Sequence, residues 1–396
     1  MQAMEPLVDG SALTATAIPD AVAGLLEALT AIDADGWYPA IEVHRPWSTH
    51  NPTITGEFCG TYAIRRYLER ELAALLARGA TISVQPSRRA LDLQDPAFFA
   101  ALDEAGWDLR QKKLFLFSPE RMALSLDRIG HYCGTPPEAF QRYVVFTNYA
   151  MHIEVFLERF PDAEGPERHS VQMPAWHHRA DGGDGVSIVN IGVGPANAKT
   201  VTDHLAVLRP DAELMIGHCG GLRNHQEIGD FVLATGYLRA DHILDDVLPC
   251  SVPITPNQRL NQVLLRQLET HGARFRLGTV YTTDNRNWEL NQSEALAAMR
   301  VSRSIAVDME SGTIAANGFR YRVPNATLLC VSDKPLHGSP KLSAAAAAFY
   351  EATRRDHLAI ALKCFDVVRD EHPAGLPNAD IRSPDEPLFG APPDVD

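Results

Sequence analysis

Apolar positions in the first part of the chain follow two different periods. Residues 19–35 (PDAVAGLLEALTAIDAD) and 59–78 (CGTYAIRRYLERELAALLAR) repeat every three to four positions, as an amphipathic helix requires. In the second stretch Ile64, Leu68, Leu72 and Leu75 form one stripe, Arg65, Arg66, Glu69 and Glu71 occupy the other faces, and Gly79 closes the helix. Residues 40–56 are polar and extended, with strand character at Thr53, Ile54 and Thr55. Short β-type runs follow at Thr81–Val84, Lys113–Phe117, Met122–Leu126 and Tyr143–Phe146, between Pro- and Gly-containing turns. Strands after a long helix, without regular alternation, predict a small α+β domain built on a mixed sheet.

Between Phe160 and Ser187 the pattern gives way to Pro, Gly and charge, the profile of a linker. This places a domain boundary near residue 165 and divides the chain into 1–165 and 166–396. The second part alternates. Strand-like runs stand at Ser187–Ile191, Leu214–Gly217, Asp230–Thr235, Phe275–Thr282, Ile305–Val307 and Thr327–Val331. Helix-like stretches stand at 196–208, 256–272, 291–301, 310–319 and 342–369. That is an α/β pattern, with a largely buried parallel or mixed sheet and helices outside.

Composition narrows the partners. The formal net charge is -14, from 36 Lys+Arg against 50 Asp+Glu, which disfavours nucleic acid or an anionic membrane as the main partner. Six cysteines without paired spacing or CxxC predict reduced thiols. MQAMEPLVDG has no basic flank for a secretory signal, and no apolar run approaches the ~20 residues of a membrane span. These features predict a soluble, cytoplasmic protein.

Ligands of such folds sit at strand ends. Five polar or Gly-rich clusters fall there: GVGPANAK, GHCGGL, YTTDNRNW, DMESG and SDKPLHG. Gly192–Pro195 can cradle an anion or simply form a tight turn, and it lacks both the dinucleotide fingerprint and the P-loop Lys-Ser/Thr. His218 and Cys219 are adjacent, so a strand would send them to opposite faces, against a Cys–His nucleophile pair. Asp308 and Glu310 open a helix, where acids often only cap, and Asp333 ends a strand as a turn cap or a general acid. His177 and His178 lie in the linker, and no HExxH or HxH pattern predicts a metal.

Long strings then resemble a known group. VNIGVGPANAKTVTDHLAVLRPDAELMIGHCGGLR (189–223), TVYTTDNRNWEL (279–290) and AVDMESGTIAANGFRYRVPNATLLCVSDKPLHG (306–338) are similar to the nucleoside phosphorylase and nucleosidase superfamily, most of all the AMP nucleosidases. TISVQPSR (81–88), YVVFTNY (143–149) and HSVQMPAWH (169–177) extend the likeness. The resemblance implies an αβα catalytic domain with a central mixed sheet, preceded by the smaller α+β domain as regulator. It implies hydrolysis of AMP to adenine and ribose 5-phosphate. Asp333 would protonate or hydrogen-bond purine nitrogen 7, which a raised pKa would favour. Ser332 would support it, Glu310 and Met309 would hold the ribose, and Tyr281 would stack on the base. Val307, Gly194, Cys219 and Gly220 are further expected substrate contacts.

Departures matter too. Phosphate anchors of the superfamily's phosphorylases fall on Met215, His218 and Asn197, which weakens a phosphate site and favours water, with His218 as its orienter. A phosphorolytic enzyme and an inactive nucleotide sensor stay as alternatives. Lys334, His337, Lys341 and Arg223, or Arg239, are candidates for the 5′-phosphate. The resemblance further implies a homohexamer, no cofactor for the chemistry, activation by MgATP and inhibition by phosphate. Arg45, Arg65, Arg66, Arg88 and Arg89 are candidates for the triphosphate.

Overall fold

The computed structural model describes residues 7–48, 52–90, 114–167, 171–338 and 343–376. They form two compact units, divided between Arg128 and Ile129, with Val207–Arg209 belonging to the first. The boundary expected near residue 165 is therefore displaced, because the strand at Tyr143 belongs to the second unit's sheet.

The first unit holds β1 (Leu7–Asp9), α1 (Ile18–Ala34), β2 (Trp37–His44), β3 (Thr53–Glu57), α2 (Arg65–Ala77) and β4 (Thr81–Ala90). Its sheet is antiparallel throughout, in the order β1-β4-β2-β3. Alternation puts Ile41, Val43, Ile82 and Val84 in the core, with the helical stripes Leu25, Leu29, Leu68 and Leu72. Each such side chain contributes about 2 kcal/mol of apolar burial. Arg45 is 1% exposed, and Arg65, half-exposed, pairs with Glu69 at 3.0 Å. The side chains of Arg88 and Arg89 lie outside the described residues.

Two expected strands are not strands. Residues 114–117 form bends, with Leu114 N–H donating to the Thr55 carbonyl, while Lys113 lies outside the described residues. Met122–Leu126 lies in α3 (Pro119–Cys133). Met122, Leu126, Ile129 and Cys133 are buried at helical spacing behind an N-terminal Pro and Glu120, so the 3.6-residue period governs there.

The second unit adds β5 (Tyr143–Thr147), α4 (Ala150–Arg159), β6 (Ala175–His178), β7 (Val186–Asn190), α5 (Pro195–Leu205), β8 (Ala212–Gly221), β9 (Phe231–Ala240) and α6 (Gln258–His271). It continues with β10 (Phe275–Thr283), α7 (Gln292–Ser302), β11 (Ala306–Asp308), α8 (Ser311–Tyr321), β12 (Asn325–Asp333) and α9 (Ser343–Glu371). The eight strands run β11-β10-β9-β12-β8-β5-β7-β6, and β11 also pairs with β8. The sheet is mixed: β8 is parallel to β5 and β12, whereas β12–β9, β11–β8 and β6–β7 are antiparallel. Every residue of β8 and β12 is buried, which is why both read as continuous rather than alternating apolar runs.

The expected linker is thus partly sheet edge. His177, in β6, is buried, its ring nitrogens each 2.8 Å from the hydroxyls of Ser187 and Thr135. Among the described residues no helix is long and apolar enough to cross a membrane.

Candidate active site

The strand ends converge because β11 crosses the end of β8 antiparallel, Gly221 opposite Ala306 and Gly220 opposite Val307. Gly220 is closely packed here: a Cβ would lie 3.0 Å from Val307 and 3.3 Å from Pro335, so those side chains would have to give by a few tenths of an ångström. The convergence encloses a cleft of about 200 Å³. Asp333, Ser332, Glu310, Met309, Asp308, Val307, His218, Cys219 and Gly220 line it, with Asn148, Tyr149, Val193, Thr283, Asn285, Arg286, Trp288, Glu289 and Pro335.

A regular strand would send Ser332 and Asp333 to opposite faces. β12 keeps register with β8 as far as Val331, opposite Cys219, then shifts so that Asp333 lies opposite Gly220. That irregularity lets both neighbours reach the wall. Ser332 Oγ donates to Asp333 Oδ1 at 2.6 Å, and Asp333 is only 8% exposed.

The two acids at the start of α8 divide the work. Asp308 caps: its Oδ2 accepts the Ser311 N–H at 2.9 Å and its Oδ1 the Thr282 hydroxyl at 2.7 Å. Thr282 Oγ1 in turn accepts the Gly312 N–H at 2.8 Å. Glu310 instead reaches across the cleft. Its Oε1 accepts the Gly194 N–H at 2.7 Å, and its Oε2 the Asn148 amide at 3.3 Å. Gly194 presents that N–H from φ +112°, a backbone conformation that L side chains rarely adopt. Burial first, and the Asp308 charge second, push the Glu310 carboxyl up to about 8. Burial also raises Asp308, against the bonds from Ser311 and Thr282.

His218 meets the Tyr149 ring edge-on at 4.4 Å. The rings of His152 and His357 lie 5.7 and 5.8 Å from it. Burial holds His152 well below the usual imidazole range and His357 at about 4, so both are neutral at pH 7.

Eight of the expected residues therefore share one wall: Asp333, Glu310, Met309, Ser332, Val307, His218, Cys219 and Gly220. Gly194 joins them through its N–H to Glu310. Tyr281 does not line the cleft. It packs with Leu222, Ala295 and Met299 in an apolar cluster, and Trp288 from the same cluster supplies the aromatic wall. The expected phosphate ligands are also elsewhere. Lys334 Nζ donates to the Asn224 carbonyl at 2.9 Å and His337 Nε2 to the Leu222 carbonyl at 3.2 Å, and neither they nor Arg223 line the cleft. Arg239 is buried and bonded to the Leu248 carbonyl and Asp245. Lys341 lies outside the described residues. The YTTDNRNW cluster marks the strand end that carries Asn285 and Arg286 without assigning either a role, and nothing in the sequence reading points to Asn148 or Glu289.

Residues 142–366 match the phosphorylase superfamily. The AMP nucleosidase of Escherichia coli (strain K12) is 40% identical over 431 residues, covering 89% of this chain and 89% of that protein. A 5′-methylthioadenosine/S-adenosylhomocysteine nucleosidase of Haemophilus ducreyi is 27% identical over 37% of this chain and 67% of its own length. The crystal structure of AMP nucleosidase from Bacteroides thetaiotaomicron superposes with a TM-score of 0.55 at 25% identity, over 64% of this chain and 99% of that one. The profile match spans more than half the chain and the Escherichia coli likeness nearly all of it, so the chain belongs to the AMP nucleosidase family within the phosphorylase superfamily.

Proposed function

We propose that this chain hydrolyses the N-glycosidic bond of AMP, releasing adenine and ribose 5-phosphate. The carrying observation is the meeting of Asp333, Glu310 and Met309 on one cleft wall, in a chain 40% identical to an AMP nucleosidase. Cleavage passes through an oxocarbenium-like ribose, and the departing base needs a proton. Asp333, oriented by Ser332, gives or shares that proton at purine nitrogen 7. Glu310, fixed by Gly194 and Asn148, accepts from the ribose hydroxyls, and positive charge growing on the sugar favours its ionised form. Met309 packs on the sugar. Water is the nucleophile, and His218 orients it.

Phosphorolysis is the second reading. Against it stand Met215, 1% exposed in the core, and Asn197, whose Oδ1 accepts from Gln172 at 3.0 Å, where phosphorylases place phosphate anchors. The test is to incubate the protein with AMP, with and without inorganic phosphate, and identify the sugar. Ribose 5-phosphate formed without phosphate supports hydrolysis; a phosphate-dependent sugar phosphate at carbon 1 overturns it. The reading extends, on the family resemblance, to a cytoplasmic homohexamer that needs no cofactor for its chemistry. MgATP activates it through the first unit, and phosphate inhibits it.

A further inference from the structure

We propose that Arg286 is the residue that selects a 5′-phosphorylated nucleoside over its unphosphorylated counterpart, by holding the phosphate at the cleft. The inference rests on the AMP reading and deepens it. The wall carries four carboxyl side chains, Asp308, Glu310, Asp333 and Glu289. A phosphate monoester near pH 7 brings about 1.5 to 2 negative charges, and only a cation on such a wall can answer them. Arg286 is the only Lys or Arg among the described lining residues.

The cation is also available. Arg286 is exposed and has no hydrogen-bond or ion-pair partner among the described residues, whereas Lys334 is held by a backbone carbonyl away from the wall. Its loop is held in place: Asn285 N–H donates to Thr283 Oγ1 and Asn287 N–H to Asn285 Oδ1, both at 3.1 Å, and Trp288 is buried two residues on. A guanidinium so placed offers a planar fork of N–H donors, which matches two phosphate oxygens at once. Lys at this position would keep the charge and lose the fork.

The experiment compares the wild-type chain with Arg286→Gln and Arg286→Lys, after thermal melts confirm that each is folded. Steady-state kinetics on AMP are measured, and calorimetric affinities for AMP and adenosine are taken with Asp333→Asn added to each chain, so that AMP is bound and scarcely consumed during the titration. Loss of a charge-assisted phosphate contact predicts that Arg286→Gln raises KM for AMP about 10- to 100-fold with little change in kcat. The calorimetric preference for AMP over adenosine falls by a similar factor, and Arg286→Lys is intermediate. Equal losses for AMP and adenosine, or a fall confined to kcat, would overturn the assignment. A wild type that binds AMP without cleaving it would sink the hydrolytic reading alone, because the AMP-to-adenosine affinity ratio would still decide for or against Arg286.

Discussion

At the scale of single residues, Asp333 and Glu310 are separable by the proton each handles. Asp333→Asn keeps an oxygen to accept from Ser332, but its amide N–H can only hydrogen-bond and has no acidic proton to transfer. It is expected to fold and bind AMP while kcat falls by roughly 10²–10⁴, the range for lost general acid–base catalysis. Near-normal turnover would remove Asp333 from its role. Glu310→Gln should lower kcat/KM, since an amide is a poorer acceptor when charge develops on the sugar. Its stability should move the other way with pH. With the folded carboxyl pushed up to about 8, the folded state holds a proton that an unfolded Glu releases near 4.5. Across that window the wild type therefore loses stability as pH rises. The variant lacks this slope, and Asn148 can rotate its otherwise unpartnered Oδ1 toward the new NH₂. Melting temperatures from pH 5 to 8 check this: the variant's advantage over wild type should grow with pH. A constant difference would mean that Glu310 is not held protonated.

At the scale of elements, local pattern carried much of the second unit. The expected strand runs at Leu214–Gly217 and Thr327–Val331 are the middles of β8 and β12, and the helices over 256–272 and 291–301 fall on α6 and α7. Strand ends rich in Gly and acid marked the cleft, because side chains with no role in the core stand out there. What stayed hidden depends on pairing. Nothing local announces that β11 turns antiparallel onto β8, or that β12 shifts register beside Ser332, yet these two features bring Asp333 and Glu310 together. Tyr281 was misread for the same reason: which face of β10 meets the cleft follows from its neighbours. The β7–α5 turn offers a test at this scale. An Ala side chain at Gly194 would meet no atom within 4 Å, so Gly194→Ala strains only the backbone, at φ +112°. The cost is about 1–3 kcal/mol, and relaxation would withdraw the N–H from Glu310. A fall in kcat/KM together with a lower melting temperature is expected; unchanged kinetics would show that Glu310 does not need this anchor.

At the scale of the whole molecule, the division between Arg128 and Ile129 decides how the regulatory proposal can be tested. The composition of 160–187 suggests cutting near Ser170, but that cut discards β5, which pairs with β7 and β8 inside the eight-stranded sheet, and also α4. Tyr143, Val145, Ile153 and Phe156 would leave the core with them. At about 2 kcal/mol for each buried apolar side chain, the loss is comparable to the 5–15 kcal/mol that holds a domain together. A chain starting at Ser170 is therefore expected not to fold. A chain starting at Ser118, ahead of α3, keeps the whole sheet and every lining residue of the cleft. The solved Bacteroides protein is matched over 99% of its length by 64% of this chain. The shortened chain should hydrolyse AMP with kcat near that of the unstimulated full chain. An activator must bind one conformation more tightly than another, and the coupling cannot exceed that difference. If the first unit supplies the difference, MgATP will accelerate the full chain and leave the shortened one unchanged. An equal response in both would place the nucleotide's site in the second unit and leave the first without a regulatory role.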